Sequence, residues 1–99
     1  MMIRLEVMRS FVAVYECGSV THAARRQGYS PAAVSRQIGK LQRTLGVALF
    51  EPDGRGIRPT AHAARLAELA RDMLVELDRL ESCMTSMRGG QVSRPADAM

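Results

Sequence analysis

Between Gly18 and Gly46 the chain reads GSVTHAARRQGYSPAAVSRQIGKLQRTLG, and this stretch contains two helix starts and two helix stops in close succession. Ser19 and Ser30 each stand where an N-cap hydroxyl can accept a hydrogen bond from a free backbone N–H, and Pro31 takes the first helical position, where its missing N–H costs nothing. Gly28 and Gly46 fall where each helix must turn left-handed to end. Ala23, Ala24, Val34, Ile38 and Leu41 recur as an inner face, and the small alanines let two helices cross closely. Arg25, Arg26, Arg36, Lys40 and Arg43 supply an outer, cationic one. Two capped helices in tandem with such a face imply a DNA-reading helix-turn-helix.

Charge strengthens that implication. The chain has 99 residues and a formal charge of +4. Residues 1 to 65 hold ten Lys or Arg against four acids, and residues 66 to 99 hold four against six, so the front is basic and the back mildly acidic. All but one of the cations are arginine, whose planar fork suits phosphate and guanine edges better than an ammonium does. One domain of this length buries only about 60 to 65% of its unfolded surface, so a partner subunit would add stability.

Other functional classes find little support. Cys17 and Cys83 are the only cysteines and read as reduced packing residues of a cytoplasmic protein. His22 and His62 lie far apart, with no second histidine and no CxxC nearby, so neither metal nor cofactor is expected. No apolar run is long enough to span a bilayer, which implies a soluble chain and no membrane partner. An enzyme is not expected: there is no nucleophile beside a histidine, no phosphate loop and no paired carboxylates in a pocket-forming segment.

Around the central motif, Leu5, Met8, Phe11, Val12 and Tyr15 recur at helical spacing from Ile3 to Cys17, predicting an amphipathic first helix stopped by Gly18. A second helix is predicted from Val20 to Gln27 and a third from Pro31 to Leu45. Pro52, Asp53, Gly54, Arg55 and Gly56 then sit between two short apolar pieces, predicting a two-stranded wing over 51–57 with Arg55 at its tip. Thr60 is the expected N-cap of a long last helix over 61–88, ended by Gly89 and Gly90, with 89–99 a disordered tail. Along that helix Ala63, Leu66, Ala70, Met73, Leu77, Leu80, Met84 and Met87 alternate by three and four, a heptad seam that calls for another helix. Leu69 and Leu74 widen the stripe, so the near part is expected to pack on its own domain and the far part to meet a second subunit. The expected architecture is mainly α: a winged helix-turn-helix over 1–60, then a dimerisation helix.

The ordered set Phe11, Gly18, Ser19, Ala23, Ala24, Ser30, Ala33, Ser35, Arg36, Gln37, Ile38, Leu41, Leu45, Gly46, Leu49, Phe50, Gly54, Arg55 and Thr60 resembles the N-terminal domain of LysR-type transcriptional regulators. The resemblance covers residues 1 to about 88. It implies double-stranded DNA as partner, with the third helix in the major groove, the wing on the backbone or minor groove, and the last helix antiparallel to that of a second copy. It further implies DNA contacts from Thr21, Ser30, Ser35, Arg36 and Arg55. Reading the residues directly adds Pro31 and Ala32, which share the first turn and a half with Ser35 and Arg36, where base-edge readers sit. Arg36 can fork onto guanine O6 and N7 or clamp a phosphate. Lys40 and Arg43, further along, suit phosphates or a solvated surface.

The chain departs from the family pattern at Pro31 and Ala32, where Gln and Pro are common, so its sequence preference should differ. It departs again at Pro52, where an arginine is usual, and at His62 with Ala63, where the family has Ala-Gly. Family members usually continue into an effector-binding domain, and none is expected in this chain. Two functions therefore compete: a homodimeric, sequence-specific DNA-binding regulator, or a truncated module that pairs with a full-length relative through 61–88 and blocks its DNA binding.

Overall fold

In the computed structural model, which describes residues 1–93, three helices, a short hairpin and a long fourth helix follow in order: α1 (Leu5–Cys17), α2 (Val20–Gln27), α3 (Pro31–Leu45), β1 (Phe50–Asp53), β2 (Gly56–Pro59) and α4 (Ala61–Ser93). Each boundary has a local cause. Ser19 Oγ accepts from the His22 N–H at 3.2 Å and Ser30 Oγ from the Ala33 N–H at 3.1 Å. Gly18, Gly28 and Gly46 end α1, α2 and α3 with φ of +66°, +75° and +73°, a region where a Cβ would be strained. Thr60 caps α4, accepting from the Ala63 N–H at 3.3 Å while its hydroxyl donates to the Ala48 carbonyl at 2.8 Å.

The core lies where α1 crosses α2, α3 and the near half of α4. Phe11, Val14, Ala23, Ala24, Val34, Leu49, Ala63 and Ala67 are all buried there. Six of the buried core residues are alanines, Ala13 and Ala70 among them with the four just named, so helix backbones approach closely and few large side chains fill the interior. Two electrostatic ties hold α4 to α1. Arg9 reaches Asp78 and Glu81 at 3.6 and 3.8 Å. Glu16 receives Arg26 of α2 at 2.6 Å and Arg71 of α4 at 3.0 Å, and Arg71 also lies over the Tyr15 ring at 5.2 Å.

The Arg26 hydrogen bond, with Arg71 in support, holds the Glu16 carboxyl below its ordinary value of 4.5. A carboxyl whose pKa falls on folding adds stability above its unfolded pKa and loses it as pH drops through the folded one. Glu16→Gln is therefore expected to be less stable than the wild type near pH 7, with the gap closing below about pH 4. Urea midpoints measured from pH 7 to pH 3 check this; a gap that stays constant would show that the tie is not electrostatic.

Three expectations are corrected. Helix α4 does not end at Arg88: it passes through Gly89 and Gly90 to Ser93. A helical glycine costs about 1 kcal/mol relative to alanine but stops a helix only by turning left-handed, and Gly89 is not among the glycines with positive φ. Of the tail expected over 89–99, residues 94–99 lie outside the described residues. Cys17 packs against the core, but Cys83 is exposed rather than packed. Leu69, expected to widen the inward stripe, is 55% exposed; it lies on the side of α4 away from Ala67 and Ala70, while Leu74 does pack on the core.

The hairpin is antiparallel, pairing Phe50 with Pro59, Glu51 with Arg58, Pro52 with Ile57 and Asp53 with Gly56. Its strands run Phe50–Asp53 and Gly56–Pro59, one residue earlier and two later than the 51–57 expected. Gly54 and Arg55 form the turn, Gly54 at φ +63°. Among the described residues no helix is long and apolar enough to cross a membrane.

Candidate nucleic-acid interface

Helix α3 has two opposed faces. Val34 and Ile38 are buried, with Leu41 and Leu45 packed beside them, and this locks the rotation of the helix. Its other face is thereby fixed outward: Pro31, Ala32, Ser35, Arg36, Lys40 and Arg43 are all exposed. Ser30, at the N-cap, is exposed too, next to the amide groups of the first turn. Such a terminus carries the positive end of the helix dipole, which favours an anion. Thr21, near the start of α2, and Arg55, at the tip of the hairpin, are likewise exposed.

The pattern of ion pairs separates two kinds of cation. Arg9, Arg26 and Arg71 face acids on neighbouring helices, Arg4 faces Glu6, Arg58 faces Glu51 across the hairpin, and Arg79 faces Glu76. Among the described residues, Arg36, Lys40, Arg43 and Arg55 have no such carboxylate partner. Cations that join neighbouring helices are neutralised locally; those on the outer face of α3 and at the wing tip leave an uncompensated positive surface, and Arg25, Arg65 and Arg88 are likewise without an acidic partner among the described residues. That surface can bind polyanions and steer their approach.

One side chain that sequence reasoning missed, Gln42, holds this surface in place. The Gln42 carbonyl accepts from the Leu49 N–H at 2.8 Å and the Phe50 N–H at 3.1 Å, tying the end of α3 to the base of the wing. Gln37 lies half-buried on the α1 side of α3, its Oε1 fully enclosed and without a partner among the described residues. The role of Gln42 has no sequence signal, because a glutamine in a helix looks solvated until the loop or helix that covers it is known. His22 and His62 are both exposed, and no group of three potential metal ligands occurs among the described residues.

The residues assigned to dimerisation divide along α4. Leu66 and Met73 are packed against the domain's own core, and Ala70 is only 4% exposed. Leu77 is half-buried. Leu80, Met84 and Met87 are 56%, 55% and 59% exposed, an apolar run without cover among the described residues.

A tri-helical core, a two-stranded wing and an outward cationic third helix define a winged helix-turn-helix with an extended C-terminal helix. The model of bacterial regulatory helix-turn-helix proteins of the lysR family matches residues 5–64, and the chain belongs to that family. The HTH-type transcriptional regulator AceR of Acinetobacter baumannii is 42% identical over 79 residues, covering 80% of this chain and 27% of that protein. TfdS of Cupriavidus pinatubonensis, another HTH-type transcriptional regulator, is 49% identical over 72 residues, covering 73% and 24%. The chain thus spans about a quarter of the length of the curated relatives it matches. Among solved structures, the BenM DNA-binding domain in complex with benA site 1 DNA aligns with a TM-score of 0.79 at 31% identity, over 89% of this chain and 99% of that one. The CbnR DNA-binding domain in complex with DNA aligns with a TM-score of 0.73 at 32% identity, over 93% and 100%. The family's named members are transcriptional regulators, not enzymes.

Proposed function

We propose that this chain is the DNA-reading part of a dimeric, sequence-specific regulator acting in the cytoplasm. Helix α3 enters the major groove of double-stranded DNA, Arg55 of the wing meets the backbone or the adjacent minor groove, and the far half of α4 pairs with a second copy. The observation that carries this reading is the outward face of α3: Ser35 and Arg36 are exposed beside Lys40 and Arg43, none of these cations paired with an acid among the described residues, on a helix whose rotation is fixed by Val34 and Ile38. The relatives solved as DNA complexes share that fold. Within it, Pro31, Ala32, Ser35 and Arg36 take the base-edge positions, while Thr21, Ser30, Lys40 and Arg43 serve phosphates.

Arg36 is the principal reader. A bidentate arginine–guanine pair is worth about 1–3 kcal/mol of discrimination, so Arg36→Ala should relax preference at one base position per half-site by that amount. Selecting bound duplexes from a random pool with both proteins checks this. Uniform weakening at every position would move Arg36 to a phosphate role, and a wild type showing no preferred sequence would overturn specific recognition altogether. The exposed Leu80, Met84 and Met87 also admit a second reading, in which α4 pairs with a longer relative and blocks its DNA binding. Mixing the chain with such a relative separates the two: mixed dimers unable to bind DNA support the second reading, and homodimers that bind tightly support the first.

A further inference from the structure

A cleft runs between the first turn of α1 and the flank of α3, and it sets Arg4, which none of the roles above uses, beside three α3 cations already assigned to DNA. Four cations line it, Arg4, Arg36, Lys40 and Arg43, against a single carboxylate, Glu6. Nη1 of Arg43 lies 3.3 Å from the point where a Cβ on Gly39 would stand, so the missing side chain lets the guanidinium fold against the helix. Arg4 contributes from the N-cap of α1, on the far side of the cleft.

Arg4 has only a loose partner. Its Nη2 donates to Glu6 Oε2 at 3.1 Å, two residues away, with the two side chains 61% and 44% exposed. Pairs of this kind are held weakly and exchange readily with other ions. The Glu6 carboxyl is held below its ordinary value first by a backbone N–H and then by Arg4, so it remains charged at neutral pH whether or not Arg4 stays with it.

Groove dimensions give the cleft a partner. The major groove is about 12 Å wide and a helix with its side chains about 10–12 Å across, so a helix lying in the groove has a sugar–phosphate strand against each flank. Anything that overhangs a flank of α3 meets that strand. We infer that Arg4 is a phosphate-binding residue: with α3 in the groove, the flanking strand lies in this cleft, and Arg4 leaves Glu6 for a phosphate oxygen. Glu6 is then an internal competitor for the same guanidinium. The inference rests on the DNA-reading proposal and adds to it a contact from outside the helix-turn-helix.

The test titrates wild type, Arg4→Gln, Glu6→Gln and the double variant against a fluorescent random-sequence duplex over a range of salt. Arg4→Gln should lower the log–log salt slope by about 0.9 for each Arg4 engaged and weaken every sequence alike. Glu6→Gln should tighten binding, and most of that gain should vanish in the Arg4→Gln background, because added net charge alone would persist there. Circular dichroism checks that α1 still forms; if Arg4→Gln loses helix, Arg4→Lys replaces it and should restore most of the slope. A wild-type slope in Arg4→Gln, or a Glu6→Gln gain independent of residue 4, overturns the inference while leaving α3 as the reader. A wild type that binds no duplex at all overturns the DNA-reading proposal itself.

Discussion

Phe11→Ala is expected to cost about 3–5 kcal/mol, the largest loss of stability expected from one side chain of this core. Phe11 is fully buried, and its ring stands 6.4 Å from that of Tyr15 and 5.8 Å from that of Phe50, so it joins α1 to the base of the wing. Tilted aromatic pairs at these distances add to simple burial. The chain has two phenylalanines, two tyrosines and no tryptophan, so few other side chains of that size can take the place of this ring. Against a total stability of about 5–15 kcal/mol for a domain, that loss is a large fraction. Phe11→Leu, which keeps most of the volume, should cost much less. Urea denaturation followed by circular dichroism measures both, and a Phe11→Ala protein with a near-wild-type midpoint would mean that the core is held elsewhere.

Why Phe11 could be picked out from the sequence, while Gln42 and Glu16 could not, is a matter of range. Helix periodicity, the two serine caps and the glycine stops act within one turn, so each is decided by residues three or four positions apart, and the structure places the caps at Ser19 and Ser30 and the stops at Gly18, Gly28 and Gly46 as expected. The outward rotation of α3 follows from the same local rule: once Val34 and Ile38 point in, Ser35 and Arg36 must point out. The Glu16–Arg71 tie spans 55 positions and depends on how α4 lies on α1, which no spacing rule encodes. The Gln42 clamp depends on where the chain goes after Gly46. Gly89 and Gly90 misled for the opposite reason. A glycine is permitted to end a helix but is not obliged to, and the stop signals at Gly18, Gly28 and Gly46 come with a chain reversal packed behind them.

The heptad seam shows both sides of that limit, and it carries the prediction with the largest functional effect. Its periodicity is uniform from Ala63 to Met87, yet its near half is covered by the domain's own core and only Leu80, Met84 and Met87 remain exposed. Helix α4 is about 50 Å long at 1.5 Å per residue, and the protein extends 59 Å along its long axis but only 25 and 19 Å across, so the far half projects beyond its own domain. Leu80→Lys with Met84→Lys should therefore leave the monomer fold intact, since neither side chain is buried, while abolishing self-association on a sedimentation profile. If two copies read two half-sites, joining them makes the second contact intramolecular, and such linkage is worth about 10²–10⁴-fold in apparent affinity. The double variant should lose a comparable factor on a selected two-half-site duplex and little on a single half-site. Lysine is chosen because added positive charge favours phosphate; a loss of affinity then cannot come from electrostatics and must come from uncoupling the two reading heads. A variant that still sediments as a dimer would place the interface on another surface, and a monomeric variant with undiminished affinity would mean that one copy is sufficient to read the site.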